Sequence, residues 1–308
     1  MHRQRSNAGT TRLMRVLVTG SSSHLAQALL PLLSRMPEIS GITGIDRQPG
    51  LGNHPKFRSI QADLTRIELA PLLSEHDALI HLAFVVLRGK IPVHVMRAVN
   101  LDASQRLFDA ATDAGMARII HLSSASVYGC GTNVDEQAPL RPIPGFLYAE
   151  HKTGLEHWLA ERHPHITRLR PHIILGKHAQ PLLVNLLRQP FYVKLPDPQP
   201  LLQCVHEDDV ARAIVQALMH PARGAYNLAA PEPFSFREAI IRRHRFAVPI
   251  PATAAKFALQ LSCKTMGIGG ETGWIDGVHN SLTLDCSKAG REFGWQAQIG
   301  PWEMLTAS

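Results

Sequence analysis

Tyr148 and Lys152 stand four residues apart in Tyr148-Ala149-Glu150-His151-Lys152, so on a helix both side chains project from one face. A free phenol titrates near ~10, and a neighbouring ammonium favours the phenolate, which moves a tyrosine toward general acid–base work near neutral pH. The same spacing also describes an ordinary pair on a surface helix. A hydroxyl-rich stretch, Leu122-Ser123-Ser124-Ala125-Ser126-Val127-Tyr128-Gly129, closes an apolar run and so sits where a doubly wound sheet faces its ligand crevice. Its serine hydroxyls are Ser123, Ser124 and Ser126.

A third constellation lies near the beginning of the chain. Val18-Thr19-Gly20-Ser21-Ser22-Ser23-His24-Leu25-Ala26 reads as a strand, a tight turn at Gly20 and a helix start. The free N–H groups of such a start, around Ser22, Ser23, His24 and Leu25, suit a pyrophosphate, although an ordinary βα turn has the same form. Asp46 ends the next apolar run about 20 residues beyond, where an acid accepts hydrogen bonds from an adenosine ribose. That favours NAD. Arg47 beside it could grip a 2′-phosphate, so NADP stays open. With a dinucleotide in place, Lys152 can also hydrogen-bond the nicotinamide ribose, and the positive ring adds to the pull on Tyr148. His81-Leu82-Ala83, followed by Phe84, ends a further strand beside the expected cofactor, with His81 itself a packed strand residue.

These groups need elements to hold them. Short apolar runs alternate with helical periodicity through the first half of the chain, the pattern of βαβ units and a parallel sheet. Strands are expected at 15–18, 41–46, 57–63, 78–83 and 118–124, an extended run at 166–175 and a strand at 225–230. Leu25, Ala26, Leu29, Leu30 and Leu33 repeat at helical spacing, with Pro31 expected to kink that helix. Further helices are expected over 96–114, ended by Gly115, over 146–160, and after Asp208 or Asp209 as cap, with Val210, Ile214, Val215 and Leu218 on one face. Pro181, Pro190, Pro196, Pro198 and Pro200 mark a loop-rich segment. The expected architecture is α/β: a doubly wound parallel sheet (Rossmann) with a smaller C-terminal substrate lobe. Residues 1–14 form a loose tail, 15–175 the dinucleotide-binding domain and 176–308 the lobe, with 203–230 returning to the sheet.

Bulk properties exclude several classes. The 308 residues are 45% hydrophobic and 19% charged, a folded globular mixture. The net charge of +7 is concentrated in Arg3, Arg5, Arg12 and Arg15 and in Arg237 to Arg245, a helix end, without the interleaved aromatics of a nucleic-acid platform. Cys130, Cys204, Cys263 and Cys286 form no CxxC pair and no zinc spacing, and His163 and His165 are two apart, so no metal site is expected. No run approaches the roughly 18 apolar residues of a membrane span. A cytoplasmic protein with a small-molecule substrate, and with neither nucleic acid nor membrane as partner, is the expectation.

Taken in order, TGxxxxxA, Asp46, Asp63-Leu64, HLA, Asn100, SSASVYG, YAEHK, Arg170-Pro171 and His206-Glu207-Asp208-Asp209-Val210 resemble extended short-chain dehydrogenases/reductases of the NAD-dependent epimerase/dehydratase group. The resemblance runs from Arg15 to Asp285-Cys286-Ser287-Lys288 and Phe293-Gly294-Trp295. It implies that Ser124 hydrogen-bonds the reacting substrate oxygen, that Tyr148 exchanges its proton, and that Lys152 positions the ribose and tunes Tyr148. It places Asp63 and Leu64 against adenine, Leu82, Ala83, Phe84 and Pro171 along the cofactor, and Asn100 as a support for the backbone of its own helix. It also implies a homodimer packed through the helices at 96–114 and 148–160.

Departures from the family pattern bear on the substrate. Ser23 and Ala26 occupy the second and third glycine places of the phosphate loop. Ala125 and Ser126 stand where sugar-nucleotide dehydratases carry an Asp-Glu pair, so that elimination is not expected. His172 and Leu202 stand where epimerases hold substrate phosphates with Asn and Arg, leaving Arg188 or Lys194 as substitutes. Two enzyme readings follow: a simple alcohol/ketone dehydrogenase or reductase of a small, sterol-like or otherwise apolar substrate, to which Phe84-Val85-Val86 and 252–261 lean, and a sugar epimerase recycling its NAD. A non-catalytic dinucleotide sensor is the reading of another class, against which the intact Ser, Tyr and Lys argue.

Overall fold

The computed structural model describes residues 13–307 apart from 51, 53, 88, 180–186, 196, 221, 245 and 267–272, with the side chains at 259–260, 262–266 and 306–307 also left aside. Most of the expected tail, together with Pro181, Pro196, Arg245 and the Cys263 side chain, therefore lies outside the described residues.

The chain opens with β1 (Met14–Thr19), α1 (His24–Arg35), β2 (Ile39–Asp46), β3 (Phe57–Gln61), α2 (Ala70–Ser74) and β4 (Ala78–His81). Next come α3 (Val93–Arg97), α4 (Ser104–Asp113), β5 (Arg118–Leu122), a 3-10 turn at Ala125–Tyr128, β6 (Gly131–Val134) and α5 (Leu147–Arg162). After β7 (Thr167–Pro171), β8 (Ile173–Leu175), β9 (Phe191–Val193) and β10 (Cys204–His206), α6 (Glu207–Met219) leads into β11 (Gly224–Leu228). The chain finishes with α7 (Phe236–Arg243), β12 (Val248–Ile250), α8 (Ala252–Met266), α9 (Gly273–Gly277), β13 (Leu282–Leu284), α10 (Ser287–Phe293) and α11 (Pro301–Ala307).

Seven strands form one sheet in the order β11-β7-β5-β4-β1-β2-β3, and every pairing in it is parallel. The strands are apolar on both faces because both faces are covered. Val16, Val18, Ile42 and Ile80 pack under Leu25, Leu29 and Leu33 of α1 and Val210 and Ile214 of α6. Leu17, Ile45 and Leu79, the alternate residues, pack on the other side with Leu107, Phe108, Leu155 and Leu159. A third cluster, with Tyr128, Leu202, Phe234, Ile240, Leu282 and Met304, holds the C-terminal lobe against the sheet. Short pairs β8–β10, β9–β12 and β6–β13 frame that lobe.

Several expectations are corrected. The run at 166–175 is two strands, because the chain turns at His172 and β8 leaves the main sheet to pair with β10. The helix expected over 96–114 begins at Val93 and contains a π-helical stretch, Ala98–Ala103, between α3 and α4. α1 is continuous from His24 to Arg35 with Pro31 inside it. The cap of α6 is His206, whose ring accepts the Asp208 N–H, and neither Asp208 nor Asp209 serves. Asp209 is buried instead, and its carboxylate receives the N–H groups of Gln298 and Ile299.

Candidate active site

Gly20 leaves β1 with φ of +72°, and a Cβ built there would stand 2.5 Å from the Ala83 nitrogen, so the turn and the end of β4 approach as only glycine allows. The loop then enters α1. Ser23 is its N-cap, accepting from the Ala26 N–H at 3.4 Å, so its hydroxyl is turned to its own helix. The N–H groups of His24 and Leu25 belong to the first turn and have no intrahelical acceptor. Asp46 lies beside this loop at the end of β2. Its carboxylate receives the Ser22 N–H at 3.0 Å and the Gln48 N–H at 2.9 Å, which ties the loop to the neighbouring strand. The Ser22 hydroxyl donates to the Pro49 carbonyl at 2.8 Å.

At the C-terminal end of β5 the chain carries Ser123 and Ser124 toward α5. Tyr148 hydrogen-bonds Ser124, and Lys152 stands one helical turn further along. The Lys152 ammonium donates to the Leu122 carbonyl and lies 3.6 Å from the centre of the Phe84 ring, a cation–π contact. Burial pushes the Tyr148 phenol up to about 12, opposed in part by the Ser124 hydrogen bond. Burial also lowers the Lys152 ammonium well below its usual range, while the Glu156 carboxylate pulls it back up. The protein by itself therefore holds Tyr148 protonated.

One cavity of about 910 Å³ joins these parts. Ser23, His24 and Leu25 line one end, Leu82, Phe84 and Pro171 its wall, and Ser124, Tyr148 and Lys152 its middle. The positive-φ turn, the helix N-terminus opening into the cavity and Asp46 beside it form a cradle that fits a dinucleotide.

Other expected residues stand apart. Asp63 folds back on its own turn, accepting the Thr65 N–H at 2.9 Å and the Thr65 hydroxyl at 2.7 Å. Burial would raise its carboxyl, but those two bonds, with Arg47 and Arg66 nearby, hold it low. Leu64 is buried in the core beneath α4. Arg47 offers its carbonyl to Gln61, and Ala83 serves through its backbone against Gly20. Asn100 does not support its own helix as expected. From the π stretch, its amide receives the Val85 N–H at 2.7 Å and donates to the Val85 carbonyl at 3.1 Å, pinning the segment after β4. His81 is a packed strand residue, bonded to Thr19 at 2.6 Å and Ser104 at 2.9 Å.

Two features escape the sequence. Glu156, fully buried, receives the Ser123 hydroxyl at 2.6 Å and two guanidinium N–H groups of Arg170 at 2.7 and 2.6 Å. Its position one turn beyond Lys152 is the signal that could have suggested it. Trp274 of α9 stacks on Tyr148, with ring centres 5.8 Å apart and planes 22° apart, and no local pattern announces that contact.

The model of the NAD dependent epimerase/dehydratase family matches residues 16–229, and the chain belongs to that family. It is similar to the 3 beta-hydroxysteroid dehydrogenase/Delta 5→4-isomerase of Mycobacterium tuberculosis, 31% identical over 49% of this chain and 43% of the relative. It also resembles the UDP-glucose 4-epimerase of Mycolicibacterium smegmatis, 30% identical over 47% of this chain and 50% of the relative. These matches thus span half or less of the length of either curated relative. In fold it resembles the UDP-glucuronic acid 4-epimerase of Bacillus cereus in complex with NAD, with a TM-score of 0.71 and 21% identity over 96% of this chain and 97% of that one.

Proposed function

We propose that the protein is an NAD-linked oxidoreductase of an alcohol/ketone pair, with Ser124, Tyr148 and Lys152 as its catalytic residues. The observation that carries the reading is that Ser124, Tyr148 and Lys152, the last two one helical turn apart, line one cavity that also reaches the Gly20 loop at Ser23, His24 and Leu25. Ser124 orients the reacting oxygen of the substrate. Tyr148 takes the hydroxyl proton as an alcohol is oxidised, or gives it back to a ketone oxygen. Lys152, held on the Leu122 carbonyl, stands ready to move to a ribose hydroxyl and to favour the phenolate once there. NAD, when bound, supplies the hydride acceptor at its nicotinamide ring. Asp46 beside the loop supports NAD over NADP.

In this reading residues 15–175 bind the dinucleotide and 176–308 the substrate. The likeness to the hydroxysteroid dehydrogenase supports dehydrogenation, although the likeness to the epimerase covers much the same share of the chain. The reading extends to a cytoplasmic homodimer packed through α4 and α5, where exposed Gly154 on α5 leaves room for a close helix approach. No helix among the described residues is long and apolar enough to cross a membrane. Light scattering on the purified protein reads the assembly.

The functional test is NAD reduction with Tyr148→Phe and Lys152→Ala proteins. Each variant is expected to lose about a hundredfold or more in kcat/KM, and undiminished turnover by Tyr148→Phe would sink the assignment. Free exchange of NADH into solution marks a dehydrogenase, and cofactor retained through purification marks the epimerase alternative.

A further inference from the structure

Beyond Tyr148 the cavity runs into the C-terminal lobe, and its wall there is hydrocarbon. Val193 of β9 pairs with Ile250 of β12, Phe191 lies on the same strand, and Ala255 and Ala258 of α8 continue the surface. Phe236 and Ile240 of α7, Ile275 of α9 and Val278 just after α9 close it. Around Tyr148 itself the wall is aromatic. Trp274 stacks on its ring, Phe146 meets Trp274 at 4.9 Å between ring centres, and Phe84 stands edge-on to Tyr148 at 5.8 Å.

Several polar groups of this chamber are committed elsewhere, while the buried Ser126 hydroxyl on its lining has no partner and is a small neutral group rather than a cation. His172 bonds the Leu282 carbonyl through Nε2 at 2.9 Å and receives the Ile173 N–H on Nδ1 at 2.8 Å, so both ring nitrogens are taken. Leu202 is buried. Among the described lining residues, Lys152 and Arg237 are the only Lys or Arg, and Arg237 lies 3.7 Å from the Asp197 carboxylate. Glu207, whose carboxylate receives the His178 N–H, adds negative charge to the same wall. Arg188 and Lys194, the expected substitutes, are not among the lining residues. A diphosphate would lose its water here without gaining the cations or N–H donors it needs.

We propose that the substrate is an uncharged, largely apolar secondary alcohol on a fused or similarly stiff ring system, or its ketone, and that Trp274 is the specificity-determining wall against which the ring face lies. The inference rests on the oxidoreductase reading and adds the substrate class to it. In the forward direction the carbinol carbon gives a hydride to NAD+, the hydroxyl proton passes through Tyr148 to solvent, and the C–O bond becomes C=O. The products are ketone, NADH and one proton, and the charge balances.

The test uses the full chain saturated with NAD+. Binding of 2-decalol and of a 3-hydroxysterol carried in cyclodextrin is measured by calorimetry against UDP-glucose and UDP, and NADH formation is followed with each alcohol. The ring alcohols are expected to bind at least about tenfold more tightly than either nucleotide. Trp274→Ala is expected to weaken ring-alcohol binding about tenfold or more and to raise KM more than it lowers kcat, with NAD+ affinity unchanged. Trp274→Phe, which keeps a ring, should restore most of that binding, and NAD+ affinity reports that each variant is folded. Tighter binding or turnover of UDP-glucose, or unchanged ring-alcohol binding by Trp274→Ala, would overturn the inference. Ring alcohols that bind as expected but never reduce NAD+ would leave the substrate class standing and overturn the oxidoreductase reading instead.

Discussion

At the scale of single residues the governing fact is that Tyr148 sits where burial opposes its ionisation. Its phenol is pushed up to about 12, and the Ser124 hydrogen bond offsets only part of that. A base with so high a value is poor near neutral pH, so the proposed chemistry needs a positive charge that arrives with the cofactor and a Lys152 released from the Leu122 carbonyl. Without cofactor, the phenolate absorbance of the wild type minus that of Tyr148→Phe should stay near zero up to pH 10, the ordinary phenol value. Added NAD+ should bring that ionisation down. Tyr148 ionising below pH 10 without cofactor would contradict the burial argument. The trio itself is legible in the sequence, because its i, i+4 spacing and its place after a strand are local. Around Tyr148 stand Phe146, its neighbour in the chain, and Phe84 and Trp274, which no spacing brings to it.

At the scale of elements, α5 shows how a helix can carry a buried polar face. His151, Lys152, Thr153 and Glu156 are all buried on it, so its sequence lacks the clean apolar stripe by which buried helices are found. Glu156 remains ionised there. Burial would raise its carboxyl, but the Arg170 guanidinium, the Ser123 hydroxyl and nearby Arg168 outweigh that and hold it below the usual range. This pairing fastens the ends of β5 and β7 to α5 and thereby sets Ser124 against Tyr148. Glu156→Ala would leave Arg170 buried without its counter-ion and should destabilise the fold by about 3–5 kcal/mol, read as a lowered denaturation midpoint at unchanged slope. Glu156→Gln, which can still hydrogen-bond, should cost less. Loss of under about 0.5 kcal/mol in the alanine variant would show that the pair does not hold the strand ends. The π stretch at Asn100 was invisible for a related reason: one inserted backbone register leaves the apolar periodicity nearly intact while turning Asn100 onto the Val85 segment.

Over the whole molecule, buried histidines make the fold acid-sensitive. Burial lowers His172 to about 4, with the Leu282 carbonyl opposing, and lowers His81 to about 3, with Lys152 adding to the effect. Their ordinary value is 6.5, so the unfolded chain binds these protons first. The stability they contribute is present above pH 6.5 and is lost as pH falls toward 4, for His172 on the order of 3 kcal/mol in full. Chemical denaturation above pH 6.5 and near pH 4 should show that loss, and His172→Gln should flatten its slope. A stability curve level across the window would show that these rings are reached by protons while folded.

The sequence by itself determined the parallel α/β sheet, the places of Gly20, Asp46 and Ser124 just at or after strand C-termini, and the one-turn spacing of Tyr148 and Lys152. These follow from local order: strands apolar on two faces must be covered on both, and residues at strand C-termini in such a sheet face the same edge. Only the tertiary structure decided that the chain breaks at His172 and sends β8 to the lobe, and that Trp274 closes over Tyr148. Only there, too, is Glu156 seen to join two strands. These contacts link segments far apart in the chain, and their energy comes from burial that exists only once the lobe has packed.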